Sequence, residues 1–415
     1  MTDHRFIYNY FLFLFSIIPI TFLIGPAISL SNVILIDLSF VILIIYKKDY
    51  FFLKSKPIKY LIILYLYFIL NSFLSVDYSI GQYRNFGFIR LIILFVAFNY
   101  FFFQKSFFKR MLISWLLVIC IVLIDVFIEQ FTGTNIFGYN FGIRFYIDQV
   151  QFGRIVSFFK DEPIVGGYLF GFYLILVGFL LNEFKNKKLL FVFAFMLLIL
   201  FTIILTGERS NSIRAFFGFV LISLFISKFD LKTKIISLSS VVIFIMFLIP
   251  NIKYLEIRFI NNVKDVFSNH SVYFDIYKSA SQVFENNKIF GVGNKNYRVE
   301  TCNSKPTKEN NTELYHCQTH PHQFYLELIS EHGIVGSSLI IFILFKLIFS
   351  KIFETFKKDN YLKLGSLIYI LLMFIPLLPT GAFFGDFLLT IFIINLSIFY
   401  ASDKSSNIFF QKSYK

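Results

Sequence analysis

Apolar runs of about 20 residues recur along the whole chain, and a run of that length is what a helix needs to cross the hydrocarbon core of a bilayer. They fall at 6–24, 27–46, 58–76, 86–103, 111–130, 164–182, 188–206, 213–228, 233–250, 333–350, 362–380 and 382–400. The pattern predicts an all-α polytopic membrane protein with about 12 transmembrane helices. Composition agrees: only 15% of residues are charged, against about 25% in soluble proteins. No small-residue cleavage site follows the first run, so that run is expected to act as an uncleaved anchor.

The net charge of +14 does not imply a nucleic-acid partner, because of where the charges fall. Lys47, Lys48, Lys54, Lys56, Lys59, Lys105, Lys109, Arg110, Lys228, Lys232, Lys234 and Lys363 sit in or beside alternate short loops. Short basic loops stay in the cytoplasm. Both termini are therefore expected to be cytoplasmic and 251–332 to be a large periplasmic loop. The expected organisation is N-terminal helices over 1–130, central helices with arginine-bearing outer loops over 131–250, that loop, and C-terminal helices over 333–415.

The inner charges are nearly all lysine. Every arginine except Arg5 and Arg110 falls on the outer side or in the outer half of a run: Arg84, Arg90, Arg144, Arg154, Arg209, Arg214, Arg258 and Arg298. The guanidinium is a planar fork that grips phosphate with paired hydrogen bonds, and arginine near a membrane is expensive and usually functional. In "TGERSNSIR", 206–214, Arg209 and Arg214 flank a helix start whose free amides also favour an anion. The polar, aromatic-rich segment 131–163 carries Arg154 and cannot itself span. In the long loop, His270–Asn287 reads as an amphipathic helix with Phe274, Ile276, Tyr277, Ala280 and Phe284 on one side, and "GVGNKNY", 291–297, is Gly-punctuated.

Cys302 and Cys317 flank a polar stretch of that loop and are expected to form a disulfide on an oxidising face. Every histidine but His4 lies in the loop, and "CQTHPHQFYLELISEHGIVG", 317–336, places His320 and His322 just before an apolar run. A positive helix N-terminus keeps a histidine neutral, able to accept a hydroxyl proton. Helix capping is the plain alternative. His316, His320, His322 and Cys317 also raise a metal site, but they lack the paired spacing of zinc ligands, so no metal is expected. Glu327 and Glu331 are expected to orient neighbours or face headgroups, and His332 has no evident role.

Taken in order, "GRIVSFFKDEPIVGGYL", "TGERS", "IFGVGNKNY", "HPHQFYLELISEHGIVG" and "PTGAFFGD" resemble the motifs of the O-antigen ligase and O-antigen polymerase superfamily over roughly 150–390. The resemblance implies a bacterial inner-membrane glycosyltransferase with no metal or other cofactor. Its donor is a glycan on undecaprenyl diphosphate. Its acceptor is the lipid A core in ligases and another lipid-linked repeat unit in polymerases. His322 matches the functional histidine, beside His320, and Arg209 an essential arginine; Arg214, Arg154, Arg298 and Arg258 are the further candidates for the diphosphate. Two positions depart from the pattern. Gln323 stands where asparagine is common, and Tyr273 stands about where an arginine often precedes an aromatic, so Arg258 or Arg298 is expected to supply that charge. Ligase is slightly favoured over polymerase. A lipid-linked glycan transporter is the more remote alternative. It would place charge near the bilayer midplane on broken or repeated helices, whereas here the main acids within runs are Asp37 and Asp125 and no repeat is visible.

Overall fold

The computed structural model describes residues 2–102, 105–140, 145–147, 150–184, 189–228, 230–261, 272–303, 315–357 and 359–410. Each of the predicted apolar runs falls on helix. In chain order these are α1 (Thr2–Ser16), α2 (Ile18–Ile24), α3 (Pro26–Lys47), α4 (Lys56–Phe73), α5 (Tyr78–Gly87), α6 (Ile89–Phe101), α7 (Lys105–Thr132), α8 (Val165–Glu183), α9 (Leu189–Leu205), α10 (Arg209–Phe225) and α11 (Leu231–Asn251). Then come α12 (Lys253–Glu256), α13 (Val272–Asn286), α14 (Tyr297–Asn303), α15 (Phe324–Ile348), α16 (Ile352–Lys357), α17 (Tyr361–Met373) and α18 (Asp386–Ala401). Among the described residues, 6 helices are long and apolar enough to cross a membrane, or up to 7 if the bent α1–α2 pair is one span. The remaining runs form shorter helices.

Three departures from the sequence reading have local causes. A short antiparallel pair, β1 (Phe145–Ile147) and β2 (Val150–Phe152), interrupts the all-α pattern. The run 362–380 stays helical only to Met373. Pro376 lacks the amide that would bond Leu372, and its ring crowds that carbonyl. The last long span begins at Phe324, earlier than the apolar run, and is broken at Gly333 (φ 62°, ψ −167°).

α8 is apolar on every side and almost wholly buried, as a central helix must be. It packs on α17, α9 and α10, while α6 packs on α18. α8 and α17 touch backbone to backbone: a Cβ on Gly178 would lie 2.2 Å from the Tyr361 carbonyl oxygen, and one on Gly365 2.1 Å from that of Leu174. Small residues at such crossings give the close dispersion contact that holds helices together in lipid. At the bundle's rim, α11 exposes Ile243, Met246 and Phe247.

The lysine-bearing end of the bundle is closed by satisfied charge. Lys363 is fully buried and donates to Asp403 (3.3 Å) and Ser406 (3.1 Å). Lys109 pairs with Glu183. The opposite end gathers the chain near 154–164, 206–209, 254–258, 288–297, 315–323 and 374–386.

Candidate active site

The break in α15 is what builds this end. With Gly333 out of helical conformation, the carbonyls of Ser330 and Glu331 lose their helical partners. They accept instead from the amides of Val292 (3.0 Å) and Gly293 (2.9 Å). The freed amides of Ile334 and Val335 donate to Lys288 (2.8 Å) and Ile289 (3.1 Å). The Gly-punctuated loop therefore docks strand-like into the kink, and these four freed backbone groups are paired. Only glycine permits it: a Cβ on Gly333 would lie 2.4 Å from the Ile289 carbonyl oxygen, and one on Gly291 2.4 Å from the Glu331 carbonyl carbon. Buried asparagines hold the loop's other side. Asn294 donates from its amide to Asn71 (2.8 Å) and from its side chain to Asn85 (2.6 Å), and Asn296 accepts from the Asp77 amide (2.7 Å). His332 is buried beside the kink, against Phe384 and in hydrogen-bond contact with the Tyr67 hydroxyl (3.1 Å). Its role is to tie α4 to α15.

The docked loop delivers a residue that sequence reading missed. Lys295 (φ 65°) points its ammonium at Glu327, 3.9 Å away. Glu327 is fully buried and also accepts from the Phe383 amide (2.9 Å); Glu331 is fully buried with it. Neither glutamate faces headgroups. They lie inward, where they fix the loop and the 379–386 segment.

His320 and His322 come together, their ring centroids 3.9 Å apart. The helix starts at Phe324, three residues after Pro321. Gln323 is its N-cap, accepting from the Leu326 amide (2.7 Å), which is the bond a shorter amide side chain makes at that position. His322 itself is half-buried and left-handed (φ 54°). Such a conformation is strained by roughly 1–3 kcal/mol outside glycine. The Thr380 amide holds it by donating to the His322 carbonyl (2.8 Å). Burial, helped by His322 and Lys295, pushes the His320 pKa down to about 3. Burial also lowers that of His322. Both imidazoles are therefore neutral at ordinary pH.

The arginines separate into three groups. Arg154, Arg209 and Arg258 surround the "TGER" turn and feel one another's charge: burial lowers the Arg258 pKa, opposed by Tyr254 and reinforced by Arg154 and Arg209. Arg258 donates to the Gly207 carbonyl (3.1 Å) and Arg154 to that of Pro163 (2.7 Å), while the Nε atoms of both are buried without a partner. Two acids lie nearby: Glu129, which accepts from the amides of Val156 (3.1 Å) and Ser157 (2.6 Å), and Glu208, whose carboxylate accepts from the amides of Gly166 (2.6 Å) and Gly167 (3.1 Å) at the start of α8 and from Asn211 (2.7 Å). For Glu208, burial raises the pKa, opposed first by Arg154.

Arg214 is different. It is buried, and its guanidinium donates to the carbonyls of Leu372 (3.2 Å) and Pro379 (2.9 Å) and to Asn211 (3.3 Å). The Leu372 carbonyl is the one orphaned by Pro376, so Arg214 caps a broken helix. Arg298 is exposed and lines a cleft beside the Cys302–Cys317 disulfide, apart from the other arginines. Arg144 and His270 lie outside the described residues.

These contacts link the histidines to the arginine turn. His322 binds Thr380, the adjoining Pro379 binds Arg214, Arg214 binds Asn211, and Asn211 binds Glu208. Among the described residues, no group of three or more His, Cys, Asp and Glu side chains is placed to hold a metal ion.

A multi-pass helical membrane protein with neutral histidines and an excess of arginine at one end is the class that fold and site define. Residues 193–341 match the family model described as O-antigen ligase, so this stretch carries a domain of the O-antigen ligase and polymerase superfamily, whose members are glycosyltransferase-like enzymes. The matched stretch runs from α9 into α15, through the "TGER" turn, the docked loop and both histidines. No curated protein matches the chain.

Proposed function

We propose that this protein is an O-antigen ligase-like glycosyltransferase. It moves a glycan from undecaprenyl diphosphate to a hydroxyl of the lipid A core or a similar acceptor. It works at the periplasmic face of the bacterial inner membrane, with both termini in the cytoplasm. The observation that carries this reading is the hydrogen-bond chain that links the neutral histidine pair to the turn where Arg154, Arg209 and Arg258 feel one another's charge.

His322 takes the proton of the acceptor hydroxyl. The hydroxyl oxygen bonds the anomeric carbon as the bond from that carbon to the phosphate oxygen breaks, so the configuration inverts. Undecaprenyl diphosphate leaves with the electron pair. A positioned base is worth on the order of 10²–10⁴-fold. Arg209, Arg154 and Arg258 meet the charge that develops on the diphosphate, which water-excluded donors stabilise strongly. Arg258, beside the turn and within electrostatic reach of Tyr273, supplies the charge that Tyr273 lacks. Arg214 positions the turn from beneath, and Arg298 stands outside the diphosphate set. His320 packs on the base and shares its dry surroundings.

Deleting the gene in its host and resolving the surface glycans on a gel tests the reading. Full-length polymer stranded on undecaprenyl diphosphate, with none on the lipid A core, is the ligase result. A single repeat still joined to the core would make it a polymerase. An unchanged profile would overturn both.

A further inference from the structure

A second site lies beside the arginine cluster. The segment 154–164 supplies Arg154 to that cluster, and its Phe158–Glu162 stretch forms one wall of a separate cavity of about 310 Å³ between α2, α3 and α18. Ile24, Leu30, Val33, Phe159 and Phe387 make its floor and sides, and Ile24 and Pro26 are exposed at its rim toward the lipid-facing surface. Arg90, Lys160, Asp161, Glu162 and Asp386 make its polar wall. Asp386 is held by Arg90 and, from outside the cavity, by Arg84 at 2.9 Å.

Charge decides what such a cavity accepts. Within it Arg90 and Lys160 meet Asp161, Glu162 and Asp386, and Arg84 joins Asp386 from outside, so the mouth has no excess of positive charge. A diphosphate gains nothing there over the arginine cluster, where Arg154, Arg209 and Arg258 lie within reach of one another's charge. The saccharide of a glycolipid, rich in hydroxyls, fits better, because each hydroxyl both donates and accepts and the wall offers carboxylates and cations side by side. The apolar floor suits a hydrocarbon foot. Position agrees: the 379–386 segment runs from Thr380, bound to His322, to Asp386 in the cavity wall. Six residues of extended chain span at most about 22 Å, within reach of a short oligosaccharide.

We infer that this cavity is the acceptor subsite, holding a glycolipid with its hydrocarbon in the α2–α3 groove and its saccharide hydroxyls against Arg90, Lys160, Glu162 and Asp386. The inference rests on the glycosyltransferase reading, and its test separates the two. The full-length protein in nanodiscs is photolabelled with a dodecyl maltoside carrying a diazirine on its alkyl chain. The labelled peptides are mapped, and undecaprenyl diphosphate binding is measured in parallel. Saturable labelling of the 22–33 and 386–390 peptides is expected, displaced by plain dodecyl maltoside and not by dodecyl phosphate. Val33→Trp should weaken it about tenfold, a ~1.4 kcal/mol change, and leave undecaprenyl diphosphate binding intact. Labelling that does not saturate, that dodecyl phosphate displaces equally, or that Val33→Trp leaves unchanged would overturn the acceptor subsite while the diphosphate reading stands. Failure of undecaprenyl diphosphate to bind, with saturable labelling retained, would overturn the diphosphate reading alone.

Discussion

The two ends of the helical bundle treat buried charge in opposite ways. At the lysine-bearing end, Lys363 has no exposed surface, yet its ammonium is met by Asp403 and Ser406 at ordinary hydrogen-bond distances. At the histidine end, Arg154, Arg209 and Arg258 feel one another's charge, the Nε atoms of Arg154 and Arg258 are buried without partners, and His322 is held in a strained backbone conformation. A protein that only needed to fold would compensate both ends alike, since an unmatched buried charge is destabilising. The contrast separates charge that holds the bundle from the Arg154 and Arg258 donors that are left over for a ligand. Arg214 shows that position alone does not decide the matter: it lies one helical turn and a half from Arg209, and its donors are already committed to the scaffold.

Several substitutions sharpen this contrast or break it. The largest effect on turnover is expected from His322→Ala, which should lower glycan transfer by about 10²–10⁴-fold while detergent-solubilised thermal stability stays near that of the parent. At the other end the signs reverse. Lys363→Met breaks a buried ion pair and leaves the Asp403 carboxylate without its cation, which should cost up to about 3–5 kcal/mol, read as a lower melting temperature. The folded fraction should keep its turnover per molecule. Catalytic loss in Lys363→Met at unchanged stability would erase the distinction between the ends.

Arg209 and Arg214 test the same distinction within one helix. Arg209→Ala should lose roughly 10²–10³-fold in turnover with little change in stability. Arg214→Ala leaves the carbonyls of Leu372 and Pro379 unsatisfied, at about 1–3 kcal/mol each. It should therefore be seen first in melting temperature and membrane yield. Gly333→Ala tests the kink: a side chain there meets the Ile289 carbonyl and a φ of 62°. About 1–3 kcal/mol of destabilisation is expected, with the 288–297 segment becoming more accessible to protease.

The smallest effect concerns pH. An imidazole in water titrates near pH 6.5, so a solvated base would lose half its activity there. Burial lowers the His322 pKa, so the pH at which turnover halves should lie below that value. Stability follows the same linkage. The unfolded chain binds protons below about pH 6.5 while folded His320 stays neutral down to about 3, so stability should fall as pH drops through that window.

Much of the scaffold was legible because hydrocarbon thickness dictates run length, and each predicted apolar run falls on helix. The amphipathic helix over 272–286 was legible too, although Phe274 faces outward and Val283 takes its place in the buried stripe. The family resemblance pointed to His322 and Arg209, and their place in the outer loop pointed to the two cysteines, which the structure joins in a disulfide. Neither could sort the arginines. Arg209 and Arg214 read alike in sequence, and only the carbonyl orphaned by Pro376, more than a hundred residues away, sets them apart. Lys295 was missed for the same reason: its importance comes from the loop docking into the α15 break, a tertiary event. A local signal for that event did exist. Gly291 and Gly333 are the two glycines that the docking requires, and both stood within quoted motifs.

The most direct test of the account is to measure undecaprenyl diphosphate binding and glycan transfer side by side in the purified parent, His322→Ala and Arg209→Ala proteins. The account predicts that His322→Ala binds undecaprenyl diphosphate like the parent and transfers almost nothing, whereas Arg209→Ala binds it weakly. His322→Ala turning over at the parental rate, or Arg209→Ala binding undecaprenyl diphosphate as tightly as the parent, would contradict it.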